Sequence, residues 1–226
     1  VITVDITNSL PDVPGKVGDV PEVFAAAFPA HVEVMVRYAS WLAGPGIQRG
    51  LLGPREADRL WDRHLLNSVA ITELIPAGER LVDIGSGAGL PGIALACARP
   101  DLHVDLVEPL LRRSTFLSEV VRDLGLGNRV RVVRGRADDS AVLAQVRGAT
   151  YVTARAVASL QKLSGWVYPM LASKGNLLAI KGDRADEELQ AYRPSASGAG
   201  LDIVGVVECG QTLVDPPVRV VHLRRR

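Results

Sequence analysis

From residue 80 onward, short runs rich in Val, Ile and Leu alternate with stretches whose apolar positions recur three or four residues apart. The runs at 80–84, 103–108, 129–133, 149–154 and 175–181 read as strands, and helices are predicted near 90–98, 110–124, 139–146 and 158–171. Such alternation implies a parallel sheet with right-handed crossovers. A short helix near 184–192 and a Ser/Gly/Ala loop at 195–200 follow. Two β-rich runs, 201–208 and 218–223, are separated only by Pro and turn residues, and read as an antiparallel pair ending the sheet.

Upstream the period is helical. Val23, Phe24, Ala27 and Phe28 share one face, as do Val32, Met35, Val36 and Ala39. Gly44-Pro45-Gly46 and the stretch from Gly50 to Pro54 are expected to break the helices. Another helix is expected to start near Pro54, with Ala57, Leu60, Trp61, His64 and Leu65 on one face and Arg55, Arg59 and Arg63 on another. Residues 1–20, with Pro11, Pro14, Gly15 and Gly18, read as a flexible lead-in. The expected organisation is a lead at 1–20, a helical cap at 21–76 and a sheet domain at 77–226.

Composition narrows the class. The chain has 226 residues, enough for one α/β domain with an extension, and 47% hydrophobic content argues against disorder. No apolar run approaches a membrane span and no basic-then-apolar leader opens the chain, so a cytoplasmic protein is expected. Cys97 and Cys209 are too few for a disulfide scaffold, and the four His residues lack metal-ligand spacing, so no metal is expected. The formal charge is +1, yet 22 of the 26 basic residues are Arg. That excess fits phosphate contact or a plain compositional bias, since Ala, Val and Gly are also abundant.

The densest chemical signal is the stretch 80–92, an apolar run ending in Asp83 and then Gly85, Gly87, Gly89 and Gly92. A strand that stops in a glycine turn and opens a helix brings backbone N–H groups close to a nucleoside-type cofactor. Gly87-Ala-Gly89-Leu-Pro-Gly92 also satisfies the dinucleotide fingerprint, which makes an NAD-dependent oxidoreductase the competing reading. Two features favour S-adenosylmethionine. Asp83, two residues before Gly85, can face an ammonium or water but would repel a diphosphate. Five parallel strands plus a terminal hairpin suit the seven-stranded Rossmann-like sheet of class I methyltransferases. Glu108, ending the second strand, would accept from both ribose hydroxyls, or is a solvated strand-end acid. After the third strand, Ala137 would offer backbone groups to an adenine edge. Asp138 would accept the exocyclic amine, or cap the next helix.

Four elements occur in order: Arg63-His64-Leu-Leu-Asn-Ser68, Asp83-Ile-Gly-Ser-Gly-Ala-Gly-Leu-Pro-Gly-Ile, Ala154-Arg155-Ala156-Val-Ala-Ser159-Leu, and Ala179-Ile-Lys181-Gly182. Together they resemble the ribosomal RNA small-subunit methyltransferase G family, also called glucose-inhibited division protein B, from about residue 22 to the end. The resemblance implies S-adenosylmethionine-dependent methylation of N7 of one guanosine in the 530 loop of 16S rRNA. It also implies cofactor contacts at Gly85, Leu90, Ala137, Asp138 and Arg155. The chain departs from the family pattern at Gln48-Arg-Gly-Leu-Leu-Gly53, where an Asn-Leu-Thr-like stretch is usual.

The remaining motifs are compatible with an N7 acceptor. Cytosine C5 methylation needs a thiolate, but Cys97 lies among Ala and Leu and reads as core, and neither cysteine follows a Pro. Asp215-Pro-Pro-Val218 imitates an amine-methylation motif but lacks the aromatic and reads as a turn. Guanine N7 carries a lone pair and no proton, so positioning supplies most of the rate and no base is required. Arg155, at the end of the fourth strand, would contact the methionine carboxylate or the guanine O6 edge, or form a structural ion pair. Lys181 would meet the RNA backbone or is a plain surface lysine; His64 is a core histidine or shapes the site. These three are the catalytic candidates. Four basic groups are candidates for RNA: Arg55/Arg59/Arg63, Arg112-Arg113, Arg129/Arg131/Arg134/Arg136 and Arg224-Arg225-Arg226. Aromatics are only 4%, which argues against a stacking platform like that of an RRM. A cofactor-retaining RNA-binding or assembly module without turnover is the third reading; a monomer acting on 16S rRNA or a 30S particle is the expected assembly.

Overall fold

The computed structural model describes residues 17–226. Its sheet consists of β1 (Arg80–Ile84), β2 (His103–Glu108), β3 (Val130–Arg134), β4 (Ala149–Arg155), β5 (Leu171–Ile180), β6 (Leu201–Cys209) and β7 (Val218–Arg225), in the order β3-β2-β1-β4-β5-β7-β6. The first five strands are parallel, and β7 lies antiparallel between β5 and β6. Helices α1 (Glu22–Ala27), α2 (Val32–Trp41), α3 (Leu66–Val69), α4 (Gly92–Ala98), α5 (Leu111–Asp123), α6 (Ser140–Val146), α7 (Leu160–Val167) and α8 (Ala185–Ala196) cover it. This is the seven-stranded mixed sheet that the alternation of elements predicts.

Successive strand side chains point to opposite faces, and both faces are buried. Leu81, Val104, Leu106, Val130 and Leu178 join one core with α1 to α5. Val82, Val107, Val133, Val152 and Leu177 join a second core with α6, α7 and α8. The N-terminal helices therefore share a core with one face of the sheet rather than standing apart. Tyr38 on α2 is fully buried and donates to the Ala88 carbonyl at 2.9 Å, joining these helices to the glycine turn.

Several local expectations change in the fold. Gly44-Pro45-Gly46 does not end α2; the chain continues through a π-helical turn at Leu42–Gly46. Pro45 has no N–H to give, and the wider turn absorbs that loss while Leu42, Ala43 and Gly44 stay buried. The helix expected from Pro54 is a 3-10 turn (Pro54–Arg59), a π-helical turn (Leu60–Leu65) and then α3. Leu60, Trp61, His64 and Leu65 are buried as expected, but Arg55, Arg59 and Arg63 no longer form an α-helical row. Strand β5 starts at Leu171, before the expected 175, because Lys174 takes a left-handed φ of 60° and the apparent turn at Ser-Lys-Gly is a bulge.

Residues 1–16, with Pro11, Pro14 and Gly15 of the expected lead, lie outside the described residues. Residues 17–20 are held: Val17 and Val20 pack on the first core, and Trp61 Nε1 donates to the Gly18 carbonyl at 3.1 Å. The unusual segment 48–53 ties the cap to α5, through Arg49 and Glu119 at 2.6 Å and through half-buried Leu51 and Leu52.

Candidate active site

Strand order reverses between β1 and β4, and in open α/β sheets the crevice beyond the strand ends at that point takes ligands. The turn after β1 fills this position. Gly85 has φ +65°, and a Cβ there would stand 2.8 Å from Val157 Cγ2, so glycine lets the loop after β4 close over the turn. A Cβ on Gly92 would meet Leu106 Cδ2 at 2.3 Å, so glycine also allows α4 to pack tightly on β2.

The turn's N–H groups are largely spent inside the protein. Gly85 N donates to the Val107 carbonyl at 2.8 Å, Gly87 N to Glu108 Oε2 at 3.0 Å and Gly92 N to Asp83 Oδ2 at 3.2 Å. A diphosphate would find few open donors here and a carboxylate beside them. The turn therefore offers shape and buried acids more than free N–H donors.

Beside the turn is a cavity of about 250 Å³ lined by Gly85, Glu108, Arg113, Ala137, Asp138, Val157 and Trp166, among others. Glu108 is 1% exposed, which removes the solvated reading. Each of its oxygens accepts one backbone N–H, from Gly87 and from Leu110, both at 3.0 Å, leaving a lone pair on each. Asp138 does not cap α6. That role belongs to Asp139, which accepts from Ala141 N at 2.9 Å. Asp138 is exposed and pairs with Arg136 at 3.0 Å, and that hydrogen bond holds its carboxyl below the usual range.

Asp83 departs from its expected role. Its side chain is fully buried behind the turn and is closed off from open water. Opposite it on β4, Thr153 donates Oγ1 to Asp83 Oδ1 at 3.0 Å. Burial pushes its carboxyl up to about 6, against the hydrogen bonds that hold it down. Leu90 is also buried and lines neither cavity described here. Both cysteines are buried and their thiols are pushed up to about 12 by burial, which removes them as nucleophiles.

A second cavity, of about 750 Å³, shares Ala156 and Val157 with the first and is lined by Arg63, Asn67, Arg155 and Lys181. Ala156, at the junction, has a left-handed φ of 55°, a strained value for a residue with a side chain. Arg155 Nη2 stands 2.7 Å from His64 Nδ1, and His64 Nε2 stands 2.6 Å from Glu56 Oε2. Burial lowers the proton affinity of both His64 and Arg155, while Glu56 pulls His64 back up. Arg155 Nη1 is buried without a hydrogen-bond partner. Lys181 is not a surface lysine. Its ammonium donates to the Ala158 carbonyl at 2.7 Å and pairs with Glu188 at 2.8 Å, so it pins the loop after β4 rather than reaching outward.

The basic clusters divide. Arg113 lines the smaller cavity, and Arg63 pairs with Glu56 at 3.2 Å. Arg129 turns inward to the Ala96 carbonyl at 2.7 Å, and the exposed Arg131 is engaged by Asp105 at 2.8 Å. The C-terminal arginines are folded into or beside β7: Arg224 donates to Asn176, Arg225 to the Leu171 carbonyl and Arg226 to Asp202. Arg55, Arg59, Arg112 and Arg134 remain exposed. Sequence reasoning missed Glu56, Tyr38 and Trp166 and offered Arg113 only for RNA, because each reaches the site from an element whose placement no motif encodes.

A family model described as rRNA small subunit methyltransferase G matches residues 31–214. The ribosomal RNA small subunit methyltransferase G of Mycobacterium marinum is 54% identical over 201 residues, covering 89% of this chain and 87% of the relative. That of Mycolicibacterium smegmatis is 53% identical over 212 residues, covering 94% and 89%. Among solved structures, Aeropyrum pernix fibrillarin with natively bound S-adenosyl-L-methionine matches with a TM-score of 0.53 at 20% identity, over 71% of this chain and 74% of that one. A SAM dependent methyltransferase from Aquifex aeolicus matches with a TM-score of 0.55 at 16% identity, over 77% and 100%. These structural likenesses establish the class I methyltransferase fold.

Proposed function

The chain belongs to the rRNA small subunit methyltransferase G family, and on that premise we propose that it methylates N7 of a guanosine in the 530 loop of 16S rRNA, using S-adenosylmethionine. The observation that carries the cofactor assignment is Glu108, a buried acid with an unused lone pair on each oxygen that lines a nucleoside-sized cavity. A ribose diol supplies two donors to such a carboxylate. The acid and the spent amides of the turn disfavour the diphosphate that the oxidoreductase reading needs.

The residues present fit the cofactor. Gly85, Ala137 and Asp138 would hold its nucleoside part beside Glu108, and Arg155 would meet its methionine carboxylate or the guanine O6 edge. When bound, S-adenosylmethionine supplies a sulfonium methyl open to in-line displacement. The protein's part is then to orient and to shield. Val157 closes over Gly85, Lys181 pins the Ala156–Ser159 loop, and His64 holds Arg155 in the outer cavity. Glu188, the acid lining the outer cavity, is engaged by Lys181, which suits an acceptor nitrogen that has no proton to lose.

We assign residues 21–76 to the cap and 77–226 to the catalytic domain, acting as a monomer on rRNA or on a 30S particle in the cytoplasm. Among the described residues no helix is long and apolar enough to cross a membrane. Mass mapping of 16S rRNA from cells with and without the protein tests the assignment. One methyl group on a 530-loop guanosine should depend on it, and an unchanged pattern would overturn the proposal. Titration with S-adenosylmethionine and NADH checks the cofactor separately.

A further inference from the structure

We infer that Glu56 is a positioning residue for methyl transfer, acting through His64 on Arg155. The inference deepens the proposed function and rests on it for the reaction being timed. A guanidinium only donates, so the 2.7 Å contact from Arg155 Nη2 makes His64 Nδ1 an acceptor. The proton of the neutral ring is then on Nε2, and Glu56 Oε2 accepts it at 2.6 Å. The three side chains have one consistent arrangement of protons. It leaves Arg155 Nη1 without a protein partner beside the outer cavity.

Without an acceptor at position 56, the ring can move its proton to Nδ1. Two N–H groups would then face each other, and Arg155 would lose its anchor. The ring is faced by three charged groups, Glu56, Arg63 and Arg155, and burial favours its neutral form. Arg63 Nη1 binds the other Glu56 oxygen at 3.2 Å, which fixes the plane of the carboxylate. The relay joins a 3-10 turn, a π-helical turn and the end of β4. The Glu56 side chain is 24% exposed and belongs to neither core, so its replacement removes no core residue.

The full-length variants Glu56→Ala and Glu56→Gln separate a relay from a simple ion pair. Gln keeps an oxygen for Nε2–H but loses the charge and the Arg63 pair. In ¹⁵N NMR spectra of the free protein, His64 should remain the Nε2–H tautomer in the wild type and in Glu56→Gln, and acquire the Nδ1–H form in Glu56→Ala. In methyl transfer to 16S rRNA, kcat should fall about tenfold in Glu56→Ala, with KM for RNA within about twofold, and recover to within about threefold of wild type in Glu56→Gln. An unchanged His64 spectrum in Glu56→Ala, or a Glu56→Gln enzyme as slow as Glu56→Ala, would overturn the inference. The spectra need neither RNA nor methyl donor. Failure of every form to methylate 16S rRNA would therefore count against the proposed substrate, while the tautomer still decides the relay.

Discussion

The two ends of the parallel sheet use arginine in opposite ways. At the N-terminal ends of the strands, Arg80 donates to the Arg147 and Gln145 carbonyls and to Asp105, and Arg131 to Asp105 and the Gln145 carbonyl. Arg129 donates to the Ala96 carbonyl, and Arg99 to the Ile75 and Pro76 carbonyls. These carbonyls lie at or just beyond the ends of helical segments, where they have no intrahelical donor and carry negative partial charge. Guanidinium groups there act as fasteners. At the C-terminal ends, Arg155 is held by one nitrogen and keeps another unpartnered beside the outer cavity. The arginine excess is therefore in large part structural; Arg129 Nη1 is also buried without a partner, so what sets Arg155 apart is an unmade bond beside the cavity at the switch point.

The sharpest break of this contrast is Arg155→Ala. It should reduce kcat/KM for methyl transfer roughly a thousandfold with little change in Tm, as expected for loss of a preorganised charge in a water-poor site. A variant that methylates RNA normally would remove the role assigned to Arg155.

Asp83 comes next, because it is buried at the functional end and forms no ion pair among the described residues. Its carboxyl is pushed from 3.8 up to about 6, so the folded protein holds this proton more tightly than the unfolded chain. Ionising it costs stability. The cost is absent below the unfolded value, grows as pH rises from there towards about 6 and stands in full above, at about 3 kcal/mol. His64, held down by burial, acts with the opposite sign: protonation of the unfolded chain erodes stability as pH falls through its unfolded value of 6.5. Comparing wild type with Asp83→Asn from pH 4.5 to 8 by urea denaturation isolates the carboxyl. The stability difference should move in favour of the variant as pH rises, and a flat difference would contradict the assignment.

Glu108→Gln tests the nucleoside cavity. The amide replaces one acceptor with a donor that faces a backbone N–H, so S-adenosylmethionine affinity measured by calorimetry should fall about tenfold. The smallest effect belongs to the far end of the sheet. Arg80→Met should cost about 1 kcal/mol and lower Tm by a few degrees in scanning calorimetry, with kcat unaltered. A loss of activity there would mean that the two ends are not separable.

The alternation of strand and helix periods determined the order and type of the sheet elements, because buried strands must be apolar and helices must show one apolar stripe. The glycine turn was legible for a similar reason: positive φ and close approach admit no other residue at Gly85. Glu108 was legible by its distance from the turn, and Arg155 through a motif. What the sequence could not determine is which polar groups find partners. Asp83 and Lys181 looked ready for ligand and RNA, but Thr153 and Gly92 satisfy the first and Ala158 and Glu188 engage the second. Glu56 looked like one more acid on a charged surface, yet a change of helix type brings it to His64. Apolar burial follows a period along the chain, so it can be read from one dimension. Hydrogen bonding between elements depends on distances of a few tenths of an ångström between segments far apart in sequence, and only the packed structure decides them.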